Sequence, residues 1–332
     1  MLIILRMQTR TLGKDGDTIG EVGLGCWQFG GDFGPMADQT ALGILAAAVA
    51  SGTDFFDTAD VYGAGRSEEL IGRFLKTSGA TVKVATKVGR SGTLYPDKYT
   101  RLTVRESLCG SLRRLGLEAI DLIQLHCVPT GVLRDGEIFE WLRDFKQAGL
   151  IREFGASVES VEEGLICLEQ DGLRSLQVIF NPFRQKLVGE LFPLASDKGV
   201  GIIVRLPLAS GLLAGKFTQA TTFPETDHRH YNRDGQHFNV GETFAGLPFG
   251  IGVDLADRLK TSLPDGMTLA EMSLRWILDH EAVSVIIPGA SSAAQARSNA
   301  AVSALPPLSE ELHGELGGFY AEHVEPHIRG PY

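Results

Sequence analysis

Phe55-Phe56-Asp57-Thr58-Ala59-Asp60-Val61-Tyr62-Gly63 opens as an apolar strand, meets an acid at its end, and continues as a polar loop that carries a tyrosine. A carboxylate closing an otherwise apolar strand is costly to desolvate, so it needs a partner or a task. Two further runs repeat the form. Val84-Ala85-Thr86-Lys87 ends on a lysine, and Leu122-Ile123-Gln124-Leu125-His126 ends on a histidine. Outward from these, short apolar runs recur at Val22–Cys26, Asp54–Thr58, Val82–Lys87, Asp121–His126, Glu153–Val158, Leu176–Phe180, Gly201–Leu206 and Val283–Pro288. Several are apolar at consecutive positions, as expected of parallel strands covered on both sides.

Helical stretches separate the runs: Gln39–Ala50, Arg66–Thr77, Thr103–Leu115, Glu137–Ala148, Val161–Gln170, Val188–Lys198, Leu269–Asp279 and Ala293–Val302. Glu68 and Glu69 stand in the first turn of the second, where acids suit the helix dipole. Gly116 and Gly149 close the third and fourth. Eight strands alternating with helices predict either a (β/α)8 barrel or a doubly wound open sheet, and alternation alone does not choose. Residues 7–12 and 17–21 flank Gly13-Lys14-Asp15-Gly16, a hairpin signal ahead of the first strand. Ser309–Glu325 reads as a helical tail. Residues 216–249 lack periodicity, and so long a stretch is expected to be a functional lid or a mobile loop.

The 332 residues fit one large α/β domain, read as residues 7–332. Arg6 interrupts the apolar Met1–Leu5 too early for a signal peptide or a membrane span, so residues 1–6 are read as an extension without structural role. A net charge of −10 argues against nucleic acid or an anionic membrane as standing partners. Cys26, Cys109, Cys127 and Cys167 form no CxxC pair, so neither a zinc knuckle nor a redox motif is expected, and scattered thiols suit the reducing cytoplasm.

Other motifs fail. Gly23-x-Gly25 follows a strand, but Gln28 stands where a dinucleotide fingerprint needs its third glycine. The stretch from Gly211 to Lys216 is one residue short of a P-loop, and Phe217 replaces the Mg²⁺-binding hydroxyl. There is no GxSxG elbow and no HExxH pair. His228-x-His230 lies in a polar stretch without cysteine, which reads as solvated surface; no metal site is expected.

The motifs taken together resemble those of the aldo-keto reductases, of the bacterial type related to channel β subunits and general stress reductases. Phe55–Gly63 resembles the family's first signature, Val22–Trp27 the strand before it, and Ala85-Thr86-Lys87 and Leu125-His126 its remaining catalytic positions. Gly155-Ala156-Ser157, Gln177, Pro207–Gly211 and Ile287-Pro288-Gly289 are similar to its cofactor segments. The likeness runs in register over about residues 8–305 and implies the barrel, with its site at the C-terminal face of the strands. It implies an NADP(H)-dependent oxidoreductase acting on a small aldehyde, ketone or sugar, with NAD as the alternative cofactor. Tyr62 is then the general acid/base, Lys87 lowers its pKa, Asp57 pairs with Lys87, and His126 orients the carbonyl.

The same resemblance places Cys26, Trp27 and Asp57 at the cofactor site, Ser157 and Gln177 on the nicotinamide carboxamide, and Leu208, Ser210, Gly211 and Lys216 over the pyrophosphate. Gly289, Ser291, Gln295 and Asn299 match the grip on the adenosine 2′-phosphate. The chain departs from the pattern in three ways. Val158 replaces a usual Asn. Arg205 stands where many members place an aromatic ring, and is read either as a planar stack under the nicotinamide or as a buried arginine paired with a strand-end carboxylate. No Lys or Arg occupies Gly289, Ser291 or Gln295, leaving Arg297 as the nearest cation. Trp27, Phe29, Phe33, Tyr95 and residues 216–249 are the expected substrate walls, and Gly30-Gly31 is either a mobile step or a simple turn. Two rival functions stay open: a cofactor-binding redox sensor with little turnover, and a lyase using Lys87 as a Schiff-base amine. The oligomeric state is not legible.

Overall fold

The computed structural model describes residues 7–332, so the extension read at residues 1–6 lies outside the described residues. Strands β1 (Thr9–Thr11) and β2 (Thr18–Gly20) form the expected antiparallel hairpin. Eight parallel strands follow: β3 (Leu24–Gly25), β4 (Phe55–Asp57), β5 (Lys83–Val88), β6 (Ile120–His126), β7 (Ile151–Ser157), β8 (Leu173–Ile179), β9 (Gly201–Arg205) and β10 (Val283–Ile286). They pair in chain order. Bridges from Val22 to Ile286 and from Gly25 to Gly289 join first to last and close the ring. A barrel, not an open sheet, is what the strand sequence builds.

Strand parity explains what fills it. Side chains alternate between the two faces of a strand, so Phe55 points inward with Leu12, Ile19, Ala85, Leu122, Ile203, Val285 and Ile287 in one buried cluster. Phe56 turns outward onto α1 (Asp38–Ala50) and α2 (Arg66–Ser78), where it packs with Ile44, Leu45, Leu70 and Phe74. Leu12 and Ile19 come from the hairpin, which plugs the barrel floor. Two residues beyond each inward apolar position stands an inward polar one: Asp57 after Phe55, Lys87 after Ala85, Gln124 and then His126 after Leu122, and Arg205 after Ile203. The upper layer of the barrel is therefore polar.

Helices α3 (Arg101–Leu115), α5 (Glu137–Gln147), α6 (Val161–Leu168), α10 (Leu269–Leu278), α11 (Ala293–Ala301) and α12 (Glu310–Phe319) fall within the predicted stretches or within two residues of them. The stretch predicted as one helix over Val188–Lys198 divides, with a 3₁₀ turn at Lys186–Val188 and then α7 (Leu191–Asp197). Helices α4 (Thr130–Asp135) and α9 (Phe249–Leu259) escape the pattern, the first because it is short, the second because Gly250 and Gly252 disguise its apolar face.

Residues 216–249 are not an unstructured loop. They contain the one-turn helix α8 (His228–Tyr231) and bury Asp227, His228, Asn232, Glu242 and Thr243. Asn232 Oδ1 accepts from the backbone N–H groups of His237 and Phe238, both at 2.9 Å, and its amide donates to Thr243 Oγ1 at 3.0 Å. Gly30-Gly31 is a turn: Gly31 has φ 104°, and a Cβ on Gly30 would meet the backbone N of Gly63 at 2.7 Å, so that the loop bearing Tyr62 packs directly against it.

Candidate active site

Lys87 is the hub of the polar layer. Its ammonium donates to Asp57 Oδ1 at 2.5 Å, the Thr58 carbonyl at 2.8 Å and the Tyr62 hydroxyl at 3.2 Å, which uses all three N–H bonds. Asp57 Oδ2 accepts from Gln124 Nε2 at 2.9 Å and Gln177 Nε2 at 2.7 Å. Both members of the ion pair are at most 2% exposed. Burial alone would pull Lys87 down, but Asp57 and Tyr62 hold its pKa above the ordinary value. The group is an ammonium, so the Schiff-base reading lacks a free amine.

Lys87 lowers the Tyr62 pKa as expected, but burial outweighs it. Burial pushes the phenol up to about 12, and Lys87 only partly offsets it. His126, 5% exposed, is held well below its usual pKa by burial and by the charges of Arg90 and Lys87, so the ring is neutral. Its Nδ1 is buried with no hydrogen-bond partner. The rings of Tyr62 and His126 meet edge to face, 5.9 Å between centroids.

These groups stand at one end of a cavity of about 850 Å³ that continues across the barrel mouth. Asp57, Tyr62, His126, Cys26, Trp27, Gln177, Arg205, Leu208, Ser210, Gly211, Lys216, Gly289, Ser291, Gln295 and Asn299 all line it. Lys87 reaches the cavity only through Asp57 and Tyr62. Ser157 does not line it; its hydroxyl accepts from the buried Cys127 thiol at 3.8 Å. Of the expected substrate walls, Trp27, Phe33 and Tyr95 line the cavity, whereas Phe29 is fully buried in the core beside Phe56.

Arg205 takes the paired form, but its partner is Glu242 of the covering segment rather than a strand-end acid. Nη1 stands 3.4 Å from Glu242 Oε1, and Nη2 donates to the Val158 carbonyl at 3.2 Å. Glu242 also pairs with Arg90 Nη1 at 2.9 Å, and Arg90 Nη2 pairs with Glu159 at 2.6 Å. Sequence reading missed Arg90, Glu159, Glu242 and Gln124. Gln124 had a signal, since it shares the parity of Leu122 and His126.

At the far end, Ser292 caps α11, and Gln295 Oε1 accepts from the N–H and hydroxyl of Ser291 at 2.7 and 2.8 Å. Asn299 donates to the Gly289 carbonyl at 3.2 Å. A Cβ on Gly289 would overlap the Gln28 amide. Arg297 is exposed and does not line the cavity, while Lys216 does, with no ion-pair partner among the described residues.

The sequence model of the aldo/keto reductase family matches residues 21–320. The aldo-keto reductase YhdN of Bacillus subtilis is 29% identical over 291 residues, 86% of this chain and 85% of that one. The aldo-keto reductase yakc [NADP(+)] of Schizosaccharomyces pombe is 27% identical over 296 residues, 86% and 83% of the two chains. Among solved structures, the glycerol dehydrogenase from Gluconobacter oxydans superposes with a TM-score of 0.76 at 27% identity, covering 100% of this chain and 99% of its own.

Proposed function

Since the chain belongs to the aldo/keto reductase family and is an NAD(P)H-dependent oxidoreductase, we propose that it moves hydride between NADP(H) and a small aldehyde, ketone or sugar carbonyl, with residues 7–332 acting as one catalytic domain. The observation that carries this reading is the chain from Asp57 through Lys87 to the Tyr62 hydroxyl, beside His126 at one end of a long cavity.

The residues present fit a nicotinamide dinucleotide. Gln177 spends its amide N–H on Asp57 and leaves Oε1 buried without a partner, an acceptor that a carboxamide N–H would satisfy. Gln177 and Arg205 would hold the nicotinamide; Leu208, Ser210, Gly211 and Lys216 the pyrophosphate; Gly289, Ser291, Gln295 and Asn299 the adenosine end. The relative named with NADP(+) supports that cofactor for this chain. When bound, the nicotinamide supplies the hydride.

The protein's own task is the proton. With its pKa pushed up to about 12, Tyr62 carries its proton at neutral pH and gives it to the carbonyl oxygen as negative charge develops there. Lys87, 3.2 Å away, stabilises the phenolate left behind, and the buried Asp57 fixes Lys87 in place. His126, neutral, would keep its proton and use an Nε2–H to donate a hydrogen bond that orients the carbonyl oxygen. Fluorescence titration with NADPH and NADH, followed by an aldehyde panel watched at the reduced-cofactor absorbance, tests the reading. Failure to bind either nucleotide overturns it.

A further inference from the structure

Gln124 stands on β6 between Leu122 and His126, shares their inward parity, and is fully buried. It does not line the cavity but stands behind side chains that do. With Asp57 and Gln177 it closes a ring of hydrogen bonds. Gln124 Nε2 donates to Asp57 Oδ2 at 2.9 Å, and Gln177 Nε2 donates to the same oxygen at 2.7 Å. Gln177 Nε2 also donates to Gln124 Oε1 at 3.0 Å. The carboxylate sets the direction of both amides, because turning either one over would press its oxygen against Asp57 Oδ2. The members come from the alternate strands β4, β6 and β8, as side chains of one barrel layer do.

One oxygen is left over. Gln177 spends both N–H bonds inside the ring, so its Oε1 is turned away from the other two members and is buried with no partner. The bond to Asp57 pins a single N–H and leaves the amide plane free to twist about it. The bond to Gln124 pins the second N–H, which fixes the plane and with it the aim of Oε1. We propose that Gln124 is a positioning residue for the oxidoreductase reaction: it locks the Gln177 amide so that its free oxygen receives the N–H of the nicotinamide carboxamide. The inference rests on the nucleotide reading above. Asp57 is the member shared with the proton-donating groups, since its Oδ1 receives Lys87 and its Oδ2 receives the two amides. The clamp on the nicotinamide and the support of Tyr62 are thereby registered on one carboxylate. A network in which each bond fixes the next holds its members more rigidly than isolated pairs would.

The 3-acetylpyridine analogue of NADP(+) carries a methyl group in place of the carboxamide NH2, so it has no N–H to give Gln177 Oε1. The ratio of its Kd to that of NADP(+), from direct titration, reads the aimed acceptor and cancels what the two nucleotides share. The wild-type ratio is expected at about tenfold or more, the scale of one buried acceptor left unpaired. Gln124→Met conserves volume and removes the amide; Gln124→Asn keeps the amide but draws it back by one carbon. Each should bring the ratio to within about threefold of unity, because the acceptor is no longer aimed. Gln177→Met should do the same, and adding Gln124→Met to it should change the ratio no further, since Gln124 acts through Gln177. A stability role alone would lower Tm and weaken both nucleotides equally, leaving the ratio where it was. A wild-type preference that survives both Gln124 variants overturns the inference, as does a wild-type ratio near unity. In either case binding of NADPH leaves the oxidoreductase reading standing. If neither NADPH nor NADH binds, that reading falls and this inference with it.

Discussion

Lys87 Nζ stands 3.2 Å from the Tyr62 hydroxyl while its other two N–H bonds are held by Asp57 and the Thr58 carbonyl. The lysine is thus fixed on two sides and faces the phenol with its third. That arrangement does little to ionise Tyr62 at rest, since burial outweighs it, but it waits for the charge that appears when the proton leaves.

Tyr62→Phe is therefore expected to leave nucleotide binding intact and lower kcat at least roughly 10²-fold, the scale of general acid catalysis. Lys87→Met should be as damaging, and the double variant little worse than either single one, because groups that act as a unit do not add. Steady-state kinetics on the three variants decide it. Multiplying losses would assign Lys87 a separate role.

The direction of each pKa shift sets the pH behaviour. Tyr62 is raised to about 12, so the protonated form needed for reduction persists until the pH nears that value. His126 is depressed, so it is neutral above its ordinary pKa and for some distance below it. The rate of carbonyl reduction should be flat from about pH 6 to about pH 9, whereas alcohol oxidation, which needs the phenolate, should rise across the same range. An acidic limb centred near the ordinary histidine value of about 6.5 would show that His126 titrates in the working enzyme.

For the cofactor, no cation lines the cavity beside Gly289, Ser291 and Gln295 among the described residues, and the Ser291 N–H at the start of α11 already serves Gln295. A preference for NADPH over NADH below about 100-fold, or about 2.7 kcal/mol, is expected from direct titration. Lys216→Ala should weaken both nucleotides if it faces the pyrophosphate. Arg297→Ala should change neither, because that side chain is exposed and away from the cavity. Discrimination above about 1000-fold would reveal a strong phosphate ligand elsewhere.

Glu242 is 4% exposed and pairs with both Arg90 and Arg205. Truncating one partner of a buried charge cluster leaves the others uncompensated, at about 3–5 kcal/mol. Glu242→Ala should accordingly lower Tm by roughly 4–7 °C for a chain of this size, read by thermal melting. An unchanged Tm would mean that water already screens the cluster.

The cluster of Asp57, Tyr62, Lys87 and His126 was legible because each residue ends a short apolar run, or lies five positions beyond one, in a repeating pattern; the same pattern left barrel and open sheet undecided, and the family resemblance chose the barrel. Gln124 was hidden by the apolar residues on either side, though strand parity exposes it. Arg90 and Glu159 lie in connections past the strand ends, where no period operates. Glu242 sits in a segment held by Asn232 and other buried polar contacts, an order that leaves no hydrophobic rhythm in the sequence. The fate of Arg205 followed from that blind spot: its paired form was foreseen, but not the residue that pairs with it.

The ring closes where Gly23 N–H donates to the Ile286 carbonyl at 2.8 Å and Gly25 N–H to Pro288 at 3.2 Å. Strand β3 is two residues long and its partner is made near the far end of the chain, so this pairing carries the largest loop-closure entropy in the barrel. The first strand leaves the ribosome early and then waits for the last. The cavity straddles that seam, with Gly25 on one side and Gly289 on the other. A dinucleotide bound across it would favour the closed ring over the open one, and would so stabilise the protein as well as equip it for chemistry.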